Sequence, residues 1–201
     1  MKGSAKCRPF FIYFFSVKAY TDSMKFREEY LDMKLRSAEI KRLAPEMFRI
    51  FGAQNALLTA GNRESCNTMT IGWCQVGRIW NQLTCTVFVR PERYTYQFTE
   101  EQEYFTISVL SDDAKETMKV CGTKSGRDLD KIKECGLTLC SGANDAPFFD
   151  DAEMVLVCKK IYVQDMDESC VLDRDIIMPF YGKHGNWHRI YVGQIVEAYM
   201  K

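Results

Sequence analysis

The stretch "VFVRPERYTY" gathers two arginines, a threonine and two tyrosines directly after an alternating apolar run. Guanidinium and hydroxyl groups at the end of one strand can bind a phosphate or carboxylate through several hydrogen bonds. Arg90, Arg93 and Thr95 are therefore candidates for an anion site. The alternative is that both arginines pair with Glu92 and Glu100 on a solvated edge.

A second stretch, "SGRDLDK", also has residue types that bind phosphate. Ser125 and Gly126 precede a predicted helix, and the first amides and the dipole of a helix favour an anion. Glycine allows the backbone to approach a ligand closely, and Arg127 and Lys131 would add positive charge. The alternative is that the charged residues of this stretch, Lys131 included, only cap the helix and form its exposed face.

The composition argues against other kinds of site. Lys and Arg total 27 and Asp and Glu total 27, whereas a nucleic-acid surface needs a basic excess. The nine cysteines form no CxxC pair, so no zinc or iron–sulfur site is predicted. We expect most of them to be reduced, buried thiols in a cytoplasmic protein. No Ser-His-Asp triad, carboxylate pair or metal-ligand pattern is present, and the only histidines are His184 and His188.

The elements that must position these residues are mainly strands. "LTCTVFVR" alternates apolar and polar residues and is rich in β-branched ones. Further strands are predicted at "NALLTAGN", "NTMTIGW", "YFTISVL", "AEMVLVCKKIYVQ" and "HRIYVGQIVEAY". Short helices are predicted at "YTYQFTEEQ", at "SDDAKETMKVCG" with a Ser/Asp cap and a stop at Gly122, and at "GRDLDKIKECG" with Asp128 as the cap. Because no β-α-β alternation appears, we predict an antiparallel barrel with helical excursions.

Residues 1–33 are predicted to be a peripheral extension, and residues 34–201 a single domain. The extension has basic residues and then an apolar run from Pro9 to Val17, followed by Lys18. A signal peptide would have small residues at that point. Nine apolar residues are too few to cross a bilayer, so no membrane association is predicted.

Several blocks together resemble the flavin reductase-like family of FMN-binding split barrels, in particular its flavoredoxin branch. They are "LLTAGN", "NTMTIGW", "GRIWN", "VFVRPERYTYQF", "YFTISVL", "CGTKSGRDLDKIKECGL" and "HRIYVGQIVEAY", in the family order over roughly residues 55–199. The resemblance implies a mainly β fold, a Greek-key split β-barrel with short peripheral helices. It also implies a homodimer with one FMN per subunit near the dimer interface.

The resemblance further implies which residues bind FMN. The strand residues Asn67, Thr68, Met69 and Thr70 would lie along the flavin ring. The phosphate and its surroundings would be contacted by Arg90, Arg93, Tyr94, Thr95, Ser125, Gly126, Arg127 and Lys131. His188 falls at the family's late His-Arg position, where it is either a functional residue or a structural histidine. The alternative for the first group is a half-buried strand with Trp73 in the core; Trp80 is expected to be a packing residue.

The function implied is an FMN-dependent oxidoreductase. Electrons would pass from NAD(P)H through bound FMN to free flavin, ferric iron or a protein acceptor. Two other functions stay open, because a fold alone does not determine the reaction. One is an FMN-binding electron carrier without its own nicotinamide reaction, and the other is a binding module for FMN or another planar ligand such as haem.

Overall fold

Antiparallel strands form most of the described part of the chain, which in the computed structural model comprises residues 11–12, 50, 54–182 and 185–200. The strands are β1 (Phe11–Ile12), β2 (Ala56–Gly61), β3 (Cys66–Ile71), β4 (Cys74–Ile79), β5 (Gln82–Val89), β6 (Tyr104–Val109), β7 (Leu139–Ser141), β8 (Pro147–Phe149), β9 (Met154–Asp165) and β10 (Arg189–Met200). The α-helices are α1 (Tyr94–Glu101), α2 (Lys115–Thr123), α3 (Lys131–Glu134) and α4 (Arg174–Ile177).

The main sheet has the order β3-β2-β6-β9-β10-β5-β4, with β1 paired to β10, and every pairing is antiparallel. Its two end strands, β3 and β4, are consecutive in the chain and separated only by Gly72 and Trp73. Three residue steps span at most about 11 Å, so the sheet must curl until its two ends approach each other. The result is a barrel with a seam between β3 and β4, and the predicted mainly β split-barrel fold is confirmed.

Irregularities in β10 allow the long strands to bend. Its register against β9 shifts between Val192 and Gly193 and again between Ile195 and Glu197, and such bulges increase local twist. A Cβ on Gly193 would lie 2.7 Å from both the Cβ of Cys158 and the ring of Phe105. Glycine at this position therefore leaves room for Phe105 inside the barrel.

At β2 the sheet is covered on both faces, which explains why this strand is mostly apolar and buried along its length. Leu58 contacts the cluster inside the barrel, together with Ile107 and Val87. Leu57 contacts a second cluster outside it, which includes Phe148 and Phe149 of the β7–β8 hairpin and the Cys121 side chain of α2. Since both leucines are fully buried, the strand has no solvent-facing side that would require alternation.

Two predicted helix starts are wrong. Helix α2 begins at Lys115 without a side-chain cap, because Ser111 and Asp113 bond to each other in the preceding turn. It also continues past Gly122 to Thr123. Helix α3 is capped by Asp130, not by Asp128: the Asp130 carboxylate accepts a hydrogen bond from the Lys133 amide at 3.1 Å. Ser125 and Gly126 therefore lie in a turn and not at the start of a helix.

The predicted extension, residues 1–33, lies outside the described residues except for residues 11–12. These two residues form β1, which pairs with Tyr199 and Met200 at the end of β10. Cys140 is disulfide-bonded, and the other described cysteines are free thiols. No helix among the described residues is long and apolar enough to cross a membrane.

Candidate functional site

A groove of two adjoining chambers lies at the seam of the barrel. The aromatic chamber, of about 320 Å³, is lined by residues 69–73, Phe88, Arg90, Glu92, Arg93 and His188. The cationic chamber, of about 180 Å³, is lined by Asn67, Met69, residues 92–95, Cys121, residues 123–127 and Lys131. Met69, Glu92 and Arg93 line both, so the two chambers form one continuous groove.

The cationic chamber contains a buried lysine beside an arginine. Lys131 is only 4% exposed, and its Nζ donates a hydrogen bond to the Cys121 carbonyl at 3.2 Å. Burial lowers the pKa of Lys131, and the nearby Arg93 guanidinium lowers it further. Arg93 itself donates to the Gly122 carbonyl at 3.0 Å. Within the described residues, the hydrogen bonds of these two neighbouring cations go to main-chain carbonyls, so an anion bound between them would stabilise the site.

The inner wall of the cationic chamber is closely fitted around Gly126. A Cβ on Gly126 would lie 2.0 Å from Asn67 Oδ1 and 2.8 Å from the Tyr94 ring. Asn67 is fixed in turn, because its Nδ2 donates to the buried Thr95 hydroxyl at 2.7 Å. Only glycine fits here without displacing a neighbour, and the bare backbone forms part of the chamber wall.

Ser125 and Arg127 form the rim of the cationic chamber. The Ser125 hydroxyl accepts a hydrogen bond from the Arg127 amide at 3.2 Å. The Arg127 guanidinium lies 4.9 Å from the centre of the Tyr94 ring, in the range of a cation–π contact. The exposed Arg127 side chain thus lines the chamber, and no ion pair in the described structure includes it.

The aromatic chamber ends at a neutral histidine. His188 Nδ1 is 2.8 Å from the Tyr181 hydroxyl, and its ring centre is 4.6 Å from that of Trp73. Burial, and then the charges of Arg90 and Arg93, lower the pKa of His188 to about 4. At neutral pH this imidazole therefore carries no charge, although two cations lie near it.

Arg90 lies in the aromatic chamber and does not line the cationic one. Its Nη2 donates to the Phe180 carbonyl at 2.6 Å, and its guanidinium is 5.5 Å from the centre of the Tyr181 ring. The predicted cluster of Arg90, Arg93 and Thr95 is therefore divided: Thr95 belongs to the cationic chamber, Arg90 to the aromatic one, and Arg93 to both.

The alternative of simple ion pairing receives no support from the described residues. Glu100 pairs with Arg189, at 3.1 Å. Glu92 accepts a hydrogen bond from Asn186. Among the described residues, no ion pair includes Arg90 or Arg93.

Strand β3 brings three of its four predicted residues to the groove. Asn67 and Met69 line the cationic chamber, and Met69 and Thr70 line the aromatic one. The Thr70 hydroxyl donates to the Met118 carbonyl of α2 at 2.6 Å. Thr68 differs: its buried hydroxyl bonds to Thr59 Oγ1 at 3.0 Å and to the Leu58 carbonyl at 3.2 Å, so its side chain lies between strands.

Several residues in or beside the groove were not predicted from the sequence. Tyr181 and Phe180 line neither chamber, but both contact lining residues: Tyr181 bonds to His188, and the Phe180 ring contacts Trp73. Both come from the segment between β9 and β10, which has no periodic pattern. Trp73, for which both interpretations were open, is 39% exposed and lines the aromatic chamber. Trp80 was expected to be a packing residue, but it is 56% exposed at the tip of the β4–β5 hairpin.

The fold and the groove together define a barrel protein with a groove that is cationic at one end and aromatic at the other. A family model described as "flavin reductase like domain" matches residues 47–201, so the chain belongs to the flavin reductase-like family. No curated protein matches the sequence.

Solved structures with the same fold include two flavoredoxins. The one from Methanosarcina acetivorans is 20% identical with a TM-score of 0.59, over 74% of this chain and 68% of that chain. The one from Desulfovibrio vulgaris is 23% identical with a TM-score of 0.56, over 73% and 69%. An FMN-binding protein from Thermus thermophilus, with bound p-hydroxybenzaldehyde, is 17% identical with a TM-score of 0.58, over 76% and 75%. At these identities the similarity establishes the fold.

Proposed function

We propose that this protein is an FMN-dependent oxidoreductase that transfers electrons from NAD(P)H, through bound FMN, to free flavin, ferric iron or a protein acceptor. The observation that carries the proposal is the division of the groove. One end has the buried cation Lys131 beside Arg93 and a lining of four cations against one carboxylate. The other end has the flat side chains of Trp73, Phe88 and His188 and a smaller positive charge, of two arginines against one carboxylate. FMN has the same division, with a phosphate at one end and a tricyclic ring at the other.

The residues of the cationic chamber fit the phosphate of FMN. Lys131 and Arg93 supply charge, and the Ser125 hydroxyl and the turn at Gly126 supply polar groups at close approach. A dianion placed between the two cations would offset the cost of burying Lys131 without a counter-charge. The proximity of the rim residue Arg127 supports a third cationic contact.

The residues of the aromatic chamber fit the ring. Strand β3 is the end strand of the sheet order, so main-chain groups along Met69–Ile71 on its outer edge can hydrogen-bond a ligand. When bound, FMN would supply the two-electron chemistry, and the protein would supply position and electrostatics. Arg93, which lines both chambers, would place positive charge beside the ring, where negative charge would develop on reduction. At neutral pH the imidazole of His188 is uncharged and carries a single N–H proton.

A second candidate function is an electron carrier that exchanges electrons with a protein and not with a nicotinamide. It is favoured by the two structural relatives described as flavoredoxins. Both functions use the same flavin site, so only the reaction with a nicotinamide separates them.

The test is an absorption spectrum of the purified, desalted protein followed by anaerobic titration with NADH and NADPH. Flavin bands of about one per subunit that bleach on titration support the oxidoreductase. Bands that bleach with dithionite but not with either nicotinamide support the carrier. No flavin after reconstitution with FMN would contradict both.

We also propose that the protein is a homodimer, because an apolar strip is exposed on the outer face of the barrel. It consists of Ile79, Trp80 and Tyr162, each between 41% and 56% exposed, and the Trp80 and Tyr162 rings lie 5.6 Å apart. Contiguous apolar patches of this kind commonly mark protein interfaces.

Sedimentation velocity tests the dimer. Trp80→Lys should shift the protein toward monomer, whereas Leu172→Lys, at a site that is 98% exposed and outside the strip, should not. A monomeric wild-type protein at high concentration would contradict the proposal.

A further inference from the structure

Arg90 has no role at the phosphate end of the groove. It does not line the cationic chamber, where Arg93, Arg127 and Lys131 already supply positive charge. Among the described residues it makes one side-chain hydrogen bond, to the Phe180 carbonyl, which uses one of the five N–H groups of a guanidinium. The Arg90 charge thus faces a different part of the groove from the one where a flavin phosphate would bind.

The side chains around Arg90 form an aromatic surface that is open to a ligand. Trp73 is 39% exposed and Phe180 is 54% exposed, with their ring centres 5.3 Å apart and nearly perpendicular. The Tyr181 ring lies 6.5 Å from Trp73 and 5.5 Å from the Arg90 guanidinium. Exposed aromatic faces in this arrangement gain stability from covering by a second flat molecule.

The charges that face this surface favour an anion. Arg90 and Arg93 are both positive and line the same chamber as His188. Glu92 lines the same chamber, but its carboxylate accepts a hydrogen bond from Asn186. With His188 neutral, the lining has one net positive charge.

We propose that Arg90 and the aromatic surface of Trp73 and Phe180 form the subsite for the second substrate, and that they select a planar aromatic acceptor carrying a carboxylate. The carboxylate pairs with the Arg90 guanidinium, whose planar fork matches it, and the aromatic body covers Trp73 and Phe180. This inference rests on the proposed flavin site, because it assigns the reacting partner of that site.

The chemistry of such a substrate is balanced by the flavin. A quinone carboxylate would accept two electrons and two protons and leave as the hydroquinone carboxylate, while the reduced flavin returns to its oxidised form. The carboxylate itself takes no part in the electron transfer and serves only for recognition.

Redox-inert probes test the subsite on the flavin-loaded protein. Isothermal titration with benzoate and with benzamide, its uncharged analogue of similar shape, should show benzoate binding at least about tenfold more tightly, as expected for a charge-assisted bond. Arg90→Gln should remove this preference, whereas Arg78→Gln, on the exposed β4–β5 hairpin, should keep it. The flavin content of each variant is read first from its visible absorbance.

A second variant keeps the inference testable if Arg90→Gln does not fold. Phe180→Ala should weaken both probes by about twofold to tenfold, because it removes aromatic contact but no charge. Wild-type protein that retains flavin but shows no preference for benzoate would overturn the inference and leave the flavin site intact. So would an Arg90→Gln protein that weakens NADPH binding without changing the benzoate preference. Wild-type protein that binds no flavin would overturn both proposals.

Discussion

Replacement of Lys131 by methionine should weaken FMN binding while it changes the stability of the protein only slightly. Methionine has nearly the length of lysine but no charge, so it can occupy the same buried position. Lys131 is 4% exposed, and its side chain makes one hydrogen bond within the described part of the chain, to the Cys121 carbonyl. In the free protein this leaves a buried ammonium group with little compensation, whereas in the FMN complex it would face the phosphate.

The expected loss of FMN affinity follows from the strength of a charge-assisted hydrogen bond. Such bonds contribute about 1.5–3 kcal/mol, and each 1.4 kcal/mol is about tenfold in the dissociation constant. Lys131→Met should therefore weaken FMN binding roughly tenfold to hundredfold. The free energy of unfolding should fall by no more than about 1 kcal/mol, the usual contribution of one hydrogen bond, because the variant also avoids the desolvation of the ammonium group.

The dissociation constants of FMN and of riboflavin are measured by following the flavin fluorescence as each flavin is titrated with the protein. Riboflavin has the same ring and ribityl chain but no phosphate, so its affinity should be nearly unchanged in Lys131→Met. The control is Lys133→Met, an exposed lysine on the same helix, which should leave both affinities within about twofold of wild type, as expected for a solvated charge. Urea denaturation of the same samples gives the free energies of unfolding.

Equal losses for FMN and riboflavin would refute the reasoning, because they would show that Lys131 supports the ring or the fold and not the phosphate. An unchanged FMN affinity would refute it as well. In that case the phosphate would lie elsewhere in the groove.

Two further predictions concern the two ends of the groove. Gly126→Ala places a Cβ against Asn67 Oδ1 and the Tyr94 ring. It should therefore lower the free energy of unfolding, measured by urea denaturation, by about 1–3 kcal/mol, and it should weaken FMN binding, measured by fluorescence titration. Unchanged values of both would contradict the tight fit around Gly126. The folded-state pKa of His188 is about 4, against a usual 6.5, so between these pH values the unfolded chain binds a proton that the folded one does not. Stability should therefore decrease as the pH falls through this window, and less steeply in His188→Asn; equal slopes in both proteins would show that His188 is not the titrating group.

The strands of this fold were readable from the sequence because their environment is regular. The alternation in β5 reflects one strand with a buried and a more open side, and the continuous apolar run of β2 reflects burial on both faces. Strand β4 was missed because its hairpin turn is formed by Trp80 and Asn81, both at positive φ, in place of the usual Asn-Gly signal. Asp128 was wrongly assigned as a cap because Asp130, two residues later, offers the same carboxylate.

The site was readable only in part, because its chambers combine segments that are distant in the chain. The residue types in "RPERYT" and "SGRDLDK" correctly indicated positive charge and hydroxyl groups near each other. The separation of Arg90 from Thr95 depends on where helix α1 begins, directly after Arg93. Tyr181 reaches His188 from an irregular segment, and no local pattern in the sequence predicts that contact.

A crystal structure of the protein with FMN would test the central claim most directly. The account predicts the phosphate in the cationic chamber, within hydrogen-bond distance of Lys131 Nζ and the Ser125 hydroxyl, and the ring along Met69–Ile71 in the aromatic chamber. A phosphate bound at Arg90, or a ring outside the groove between β3 and β4, would contradict it.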